Sequence, residues 1–219
     1  MDPFQQYTGL PLVWIYFSSV IVFLFGIWQT RYFAKNLSIS QSKAISLYIW
    51  HTIFCIIHYK WITFVGGDVV GTYINSLNPA FEFSPESKLL ANIFIRHFYS
   101  IFSYYLKFSF FTTFLAINIF GTNAILLIEY FYQKYTKNIP NTIKLILGSF
   151  LWIPTLHFWT VLGKDTLVFL GILVFTFALE KVNNRYLLII PSLIIVSCLR
   201  SYIAIMIVIS VILSIILTS

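Results

Sequence analysis

Between Pro154 and Gly171 the chain reads PTLHFWTVLGKDTLVFLG, with Lys164 and Asp165 side by side between two apolar runs. A carboxylate in such a place can take a proton from a hydroxyl. It can equally accept the first free amides of a helix, whose dipole it suits. The lysine is less easily explained, because an ammonium beside a helix N-terminus opposes that dipole. The same residue types recur far away in the chain. Asp68 follows Gly66 and Gly67, and Arg200 interrupts the run LLIIPSLIIVSCLRSYIAIMIVIS. The segments flanking Arg200 are roughly 14 and 16 residues long against the ~20 that a bilayer core needs. Arg200 therefore lies at the membrane boundary or slightly within it. An ionisable group at that depth is a functional candidate, and snorkelling to a headgroup phosphate is its structural alternative.

The elements that hold these residues follow from composition. Hydrophobic residues make up 59% of the 219 and charged residues 10%, with a mean hydropathy of +0.85. Soluble domains carry about 25% charged residues, so this chain cannot cover itself with a polar surface. The expected fold class is an all-α integral membrane protein. Aromatics at 20% suit rings near lipid headgroups. The net charge of +7 is scattered as single residues between apolar runs. With no basic stripe or zinc spacing, a nucleic-acid partner is not expected. Cys55 and Cys198 both sit in apolar runs, and neither a disulfide nor a metal pattern is present. No phosphate-binding G-x-x-x-x-G-K-[ST] loop exists, which excludes pump-like nucleotide hydrolysis in this chain. No cofactor is expected. No small-residue cleavage site follows the first apolar run, so it is expected to remain as an anchor.

At about 20 apolar residues per span, the runs are Leu12–Trp28, Ala44–Phe64, Phe108–Tyr132, Ile143–Leu162, Thr166–Leu179, Tyr186–Leu199 and Tyr202–Leu217. The expectation is a single domain over residues 1–219, a bundle of about six to seven transmembrane helices. An external loop occupies about residues 65–88, and the aromatic segment from Leu89 to Leu106 forms an interfacial or re-entrant helix. Lys and Arg choose the orientation. Arg31, Lys35 and Lys43, then Lys134, Lys137 and Lys144, then Lys181 and Arg185 fall in alternate loops, and basic loops stay in the cytoplasm. Asp68, Lys164, Asp165 and Arg200 are thereby assigned to the extracytoplasmic face. Among the histidines, His51 and His58 are seven apart and share a helical face, which fits interhelical hydrogen bonding better than metal binding. His97 beside Arg96 fits an interfacial anchor.

The order of features resembles bacterial polysaccharide polymerases of the O-antigen, capsule and exopolysaccharide type. GGDVVGTY, Gly66 to Tyr73, is similar to a Gly-Asp-x-x-x-Tyr-like pattern in their first external loop. The P-x-LHFW-x-x-x-GKD stretch resembles a signature before a mid-chain span, and Arg200 with Tyr202 resembles an arginine one hairpin later. Such polymerases have around ten or more spans, so the expectation is the N-terminal part of a longer polymerase. The resemblance implies glycosyl transfer at the outer face of a bacterial inner membrane. An undecaprenyl-diphosphate-linked glycan repeat would pass to a second lipid-linked repeat. It also implies membrane lipids as surroundings and a chain-length regulator or flippase as protein partner. A diphosphate leaving group needs fixed cations, an acceptor hydroxyl needs a base, and the lipid needs an apolar groove. On this reading Asp68, Asp165 and His157 are the candidate bases, and Lys164, Arg200, Arg96 and Tyr73 the candidate substrate-binding residues. Two other classes compete: a transporter or flippase of lipid-linked sugars, and a non-catalytic membrane scaffold. Transporters often carry inverted repeats, and no self-similarity between halves is evident.

Overall fold

The computed structural model describes residues 9–78, 90–160, 163–180 and 182–218. All regular structure among them is helical. Helix α1 (Leu12–Asn36) follows Pro11, which is suited to precede a first turn. Helix α2 (Gln41–Val65) ends at Gly66, and after a bend of 92° the short α3 (Asp68–Ser76) begins. Helix α4 (Leu90–Ser100) runs into a π-turn at Ile101–Tyr105. Helix α5 (Phe110–Tyr135) opens under a Ser109 cap whose side chain accepts from the Thr112 amide at 3.1 Å. The chain continues through α6 (Asn141–Ser149), a 3-10 turn (Phe150–Trp152) and α7 (Pro154–Trp159). Helices α8 (Lys164–Leu179), α9 (Val182–Leu199) and α10 (Ser201–Thr218) complete it.

Helices α1 and α5 are each long and apolar enough to cross a membrane, and the bent α2–α3 pair makes a third if it counts as one span. The expected count was larger. The expected span Ile143–Leu162 is divided into three short pieces, because the residue before a proline is pushed out of the helical region and Ile153, before Pro154, is extended. Helices α8, α9 and α10 are each shorter than a full span: α8 has 16 residues, and the last two offer the apolar stretches Arg185–Leu199 and Ser201–Leu217. The expected external loop is also partly helical, since α3 occupies residues 68–76. Residues 79–89 of that loop lie outside the described residues.

Helix α5 is the hub: it packs against α1, α2 and α8, and 78% of its apolar window is buried. Two features let helices approach it. Gly121 is one, because a Cβ there would lie 2.3 Å from the Thr160 carbonyl and 2.5 Å from His51 Nε2. Small residues at interfaces allow exactly this kind of close backbone approach in apolar surroundings. The other is a set of polar clips. Ser19 meets Thr112 at 2.8 Å, Asn118 donates to Thr52 at 2.9 Å, and Gln29 donates to Asn123 at 2.9 Å. Such bonds are worth about 0.6 kcal/mol each in membrane bundles. They fix register as much as stability. Ion pairs hold the end where α2 begins and α5 and α8 finish: Lys43 with Glu129 at 2.6 Å, and Lys134 with Glu180 at 2.8 Å. Burial acts to raise the Glu180 carboxyl, but hydrogen bonds from Lys134, Tyr130 and Tyr135 outweigh it and hold the group below its ordinary range.

Candidate functional site

The two Gly-Asp stretches do the same thing in the backbone. Gly66 and Gly67 have φ of 81° and 148°, and Gly163 has φ of 83°. Only glycine adopts such angles without strain. Each stretch thus turns the chain abruptly into a helix whose first turn carries an aspartate, Asp68 in α3 and Asp165 in α8. Neither helix has a side-chain cap, because the N-cap residues are Gly67 and Gly163. The turns are neighbours: a Cβ on Gly163 would touch Val69 at 3.8 Å. Arg200 closes the third side, where α9 and α10 meet with a single residue between them.

Between these turns lies a cavity of about 340 Å³ lined by Asp68, Thr72, Lys164, Asp165, Arg200, His58 and Tyr99, with Val69, Ile95 and Gly163. Arg200 Nη2 donates to Asp165 Oδ1 at 3.1 Å. That hydrogen bond, and then the attraction behind it, push the guanidinium up from its ordinary value. Asp165 therefore stands in the first turn of α8 without capping it. The pair is open to solvent, with 40% of the Arg200 and 62% of the Asp165 side chain exposed. An exposed pair contributes only about 0.2–1 kcal/mol, so an incoming anion can displace the carboxylate at little cost. Lys164 donates to Asn92 Oδ1 from α4. The Tyr99 hydroxyl is buried, with the Gly163 backbone as a polar neighbour, and makes no well-formed hydrogen bond among the described residues. Burial pushes its phenol up. Two cations and two carboxylates thus face one space, which suits a reaction that separates charge.

A second, mostly apolar groove of about 380 Å³ runs between α7 and α8, lined by Thr155, Leu156, Thr160, Val168, Phe169, Ile172 and Asp165. Asp165, Val168, Phe169 and Ile172 are spaced i, i+3, i+4, i+7, so they form one face of α8. Asp165 lines both spaces. It marks the junction of a charged cavity and an apolar groove.

The remaining sequence candidates sit elsewhere. Tyr73 is fully buried, its hydroxyl donating to the Phe108 carbonyl at 2.9 Å and its ring against Phe110. Arg96 lies half-buried on α4, and its neighbour Ile95 rather than Arg96 lines the cavity. His157 is fully buried in the bundle and does not line the cavity. Its Nε2 donates to the Leu151 carbonyl at 2.6 Å, which leaves Nδ1 to accept from His51 Nδ1 at 3.3 Å. The break at Pro154 turns it inward, away from the end that holds Lys164. His58, Tyr99, Thr72 and Asn92 line or support the cavity without having been singled out as site residues. The signal for His58 was its position on α2 two turns before Gly66-Gly67. Only the bend at those glycines shows that it opens on the same space. Among the described residues, no group of three or more His, Cys, Asp or Glu is placed to hold a metal ion. No family model, curated protein or solved structure matches this chain.

Proposed function

We propose that the chain is a bacterial inner-membrane protein that carries out glycosyl transfer on undecaprenyl-diphosphate-linked glycan repeats at its extracytoplasmic face. The observation that carries the reading is the sharing of Asp165 between a charged cavity and an apolar groove. A lipid diphosphate needs both, since its phosphates seek fixed cations and its isoprenoid seeks an apolar surface. Arg200 and Lys164 take the diphosphate, with arginine's planar fork suited to bind two phosphate oxygens at once. Asp165 holds Arg200 at the junction until the phosphates replace it. The lipid lies along α8 past Val168, Phe169 and Ile172. In this reading the bundle has about six to seven spans, α8 to α10 among them. The basic residues Lys43, Lys134 and Arg185 at the opposite end mark the cytoplasmic side.

Orientation has its own test. Gly71 lies exposed on α3 with open space where a side chain would go. Gly71→Cys is therefore expected to react with a membrane-impermeant maleimide in intact cells, and protection until the cells are lysed would reverse the orientation.

The function is tested at Asp165. Asp165 does not cap α8, whose N-cap is Gly163, so Asp165→Asn, close in size and shape, keeps the start of the helix and removes only the charge that fixes the guanidinium. The expected result is a normal level of protein in the membrane with mostly single repeats on glycan gels. Wild-type chain lengths from this variant would reduce Lys164 and Asp165 to a helix end in water.

A further inference from the structure

We infer that His58 is the base that takes the proton from the acceptor hydroxyl, an inference that rests on the glycosyl-transfer reading above. The geometry around the ring is specific. His58 Nδ1 lies 2.8 Å from the Phe158 carbonyl. A carbonyl can only accept, so Nδ1 carries the hydrogen and Nε2 keeps its lone pair. The ring is stacked on Phe158 at 4.2 Å and 7° and meets Trp61 edge-on. Only 7% of the residue is exposed, and it lines the charged cavity. Nε2 makes no hydrogen bond among the described residues. A base held in one tautomer, locked in orientation and opening on the reaction space meets the geometric requirement for proton abstraction.

The carboxylates of the cavity are placed differently. Asp165 accepts from Arg200. Asp68 sits on the exposed rim in the first turn of α3 and makes no side-chain cap there. His58 lies seven residues before the end of α2, roughly 10 Å deeper along the helix axis. Rim cations holding the diphosphate, with the base deeper in the wall, place the reacting sugar between them. In the step, the acceptor hydroxyl gives its proton to His58 Nε2 as its oxygen bonds to the anomeric carbon of the donor. The bond from that carbon to the phosphate oxygen breaks, and its electron pair leaves on the diphosphate facing Arg200 and Lys164. The imidazolium then returns the proton to water.

The test uses the full chain and two readouts: binding of undecaprenyl diphosphate by purified protein, and chain extension in isolated membranes with their endogenous lipid-linked repeats. His58→Asn is the informative variant, because its amide nitrogen can keep the bond to the Phe158 carbonyl while Nε2 is removed. His58→Gln is made beside it in case the first fails to fold. The expected result is binding within about twofold of wild type and extension lowered about 100-fold, the lower end for loss of a general base. Added imidazole, entering the vacated space, is expected to restore part of the extension. Extension within threefold of wild type would overturn the role. So would a folded, binding-competent variant that imidazole does not rescue, or loss of folded protein in both variants, which would leave His58 a packing residue. Failure of the wild type to bind undecaprenyl diphosphate would remove the underlying reading, and the role of His58 with it.

Discussion

If the proposed glycosyl transfer holds, Arg200→Ala is expected to lower chain extension about 100-fold while the protein still accumulates in the membrane. The size follows from what the side chain is asked to hold. Each charge-assisted hydrogen bond from a fixed guanidinium contributes about 1.5–3 kcal/mol. Losing two to a leaving diphosphate exceeds the roughly 2.7 kcal/mol that corresponds to 100-fold. The loss falls on the reaction rather than on folding, because the pair with Asp165 is exposed on both sides and such pairs stabilise by less than about 1 kcal/mol. Arg200→Lys is expected to recover less than about a tenth of the activity, since an ammonium lacks the planar fork. Gel analysis of glycan length beside membrane protein level checks both. Full activity in the lysine variant would make Arg200 a generic positive anchor.

At the other end of the bundle, Lys43→Ala is expected to cost about 3 kcal/mol of stability, because it strands a buried carboxylate. Glu129 is fully buried, one of its oxygens bonded to Lys43 at 2.6 Å and also to Gln133, the other without a partner among the described residues. Removing one member of a buried ion pair is far worse than removing both. Glu129→Gln in the Lys43→Ala background is therefore expected to restore most of the loss, a coupling that a double-mutant cycle isolates. For a chain of this size 1 kcal/mol moves the melting point by about 2–4 °C. The single variant is thus expected to melt about 6–12 °C lower in detergent, and the double variant within about 3 °C of wild type. Equal melting of the single variant and the wild type would mean that the pair holds nothing.

What the sequence made legible was mostly set by charge and apolarity. A lysine or arginine in an apolar chain has few places to be, so alternation of basic loops sufficed to assign Asp68, Lys164, Asp165 and Arg200 to one end. The glycines before Asp68 and Lys164 were visible too, but their consequence was not. A bend of 92° after Val65 depends on two positive φ angles, and no pattern of hydropathy encodes it. That bend folds α3 where a loop was expected and brings Asp68 round beside Gly163. His157 and Tyr73 show the opposite limit. Both stand in stretches that look chemical, yet each spends its polar atoms on interior partners: Leu151 and His51 for one, Phe108 for the other. In apolar surroundings an isolated polar side chain must be satisfied internally, so packing and chemistry choose the same residue types. Likewise, Pro154 divides the expected span Ile143–Leu162 and turns His157 toward α2, while hydropathy alone counts straight through it.

The central claim is that one cavity holds the phosphates of a lipid diphosphate while the groove beside it holds the chain. The most direct measurement is equilibrium binding of undecaprenyl diphosphate to the purified protein in detergent, with undecaprenol, which lacks the phosphates, as the comparison. The expected result is binding of the diphosphate that weakens with added salt, because exposed cations are screened. It should weaken at least tenfold in Arg200→Ala and in Lys164→Ala, while undecaprenol binds weakly and is indifferent to either change. Equal binding of the two lipids, or diphosphate binding untouched by both substitutions, would contradict it.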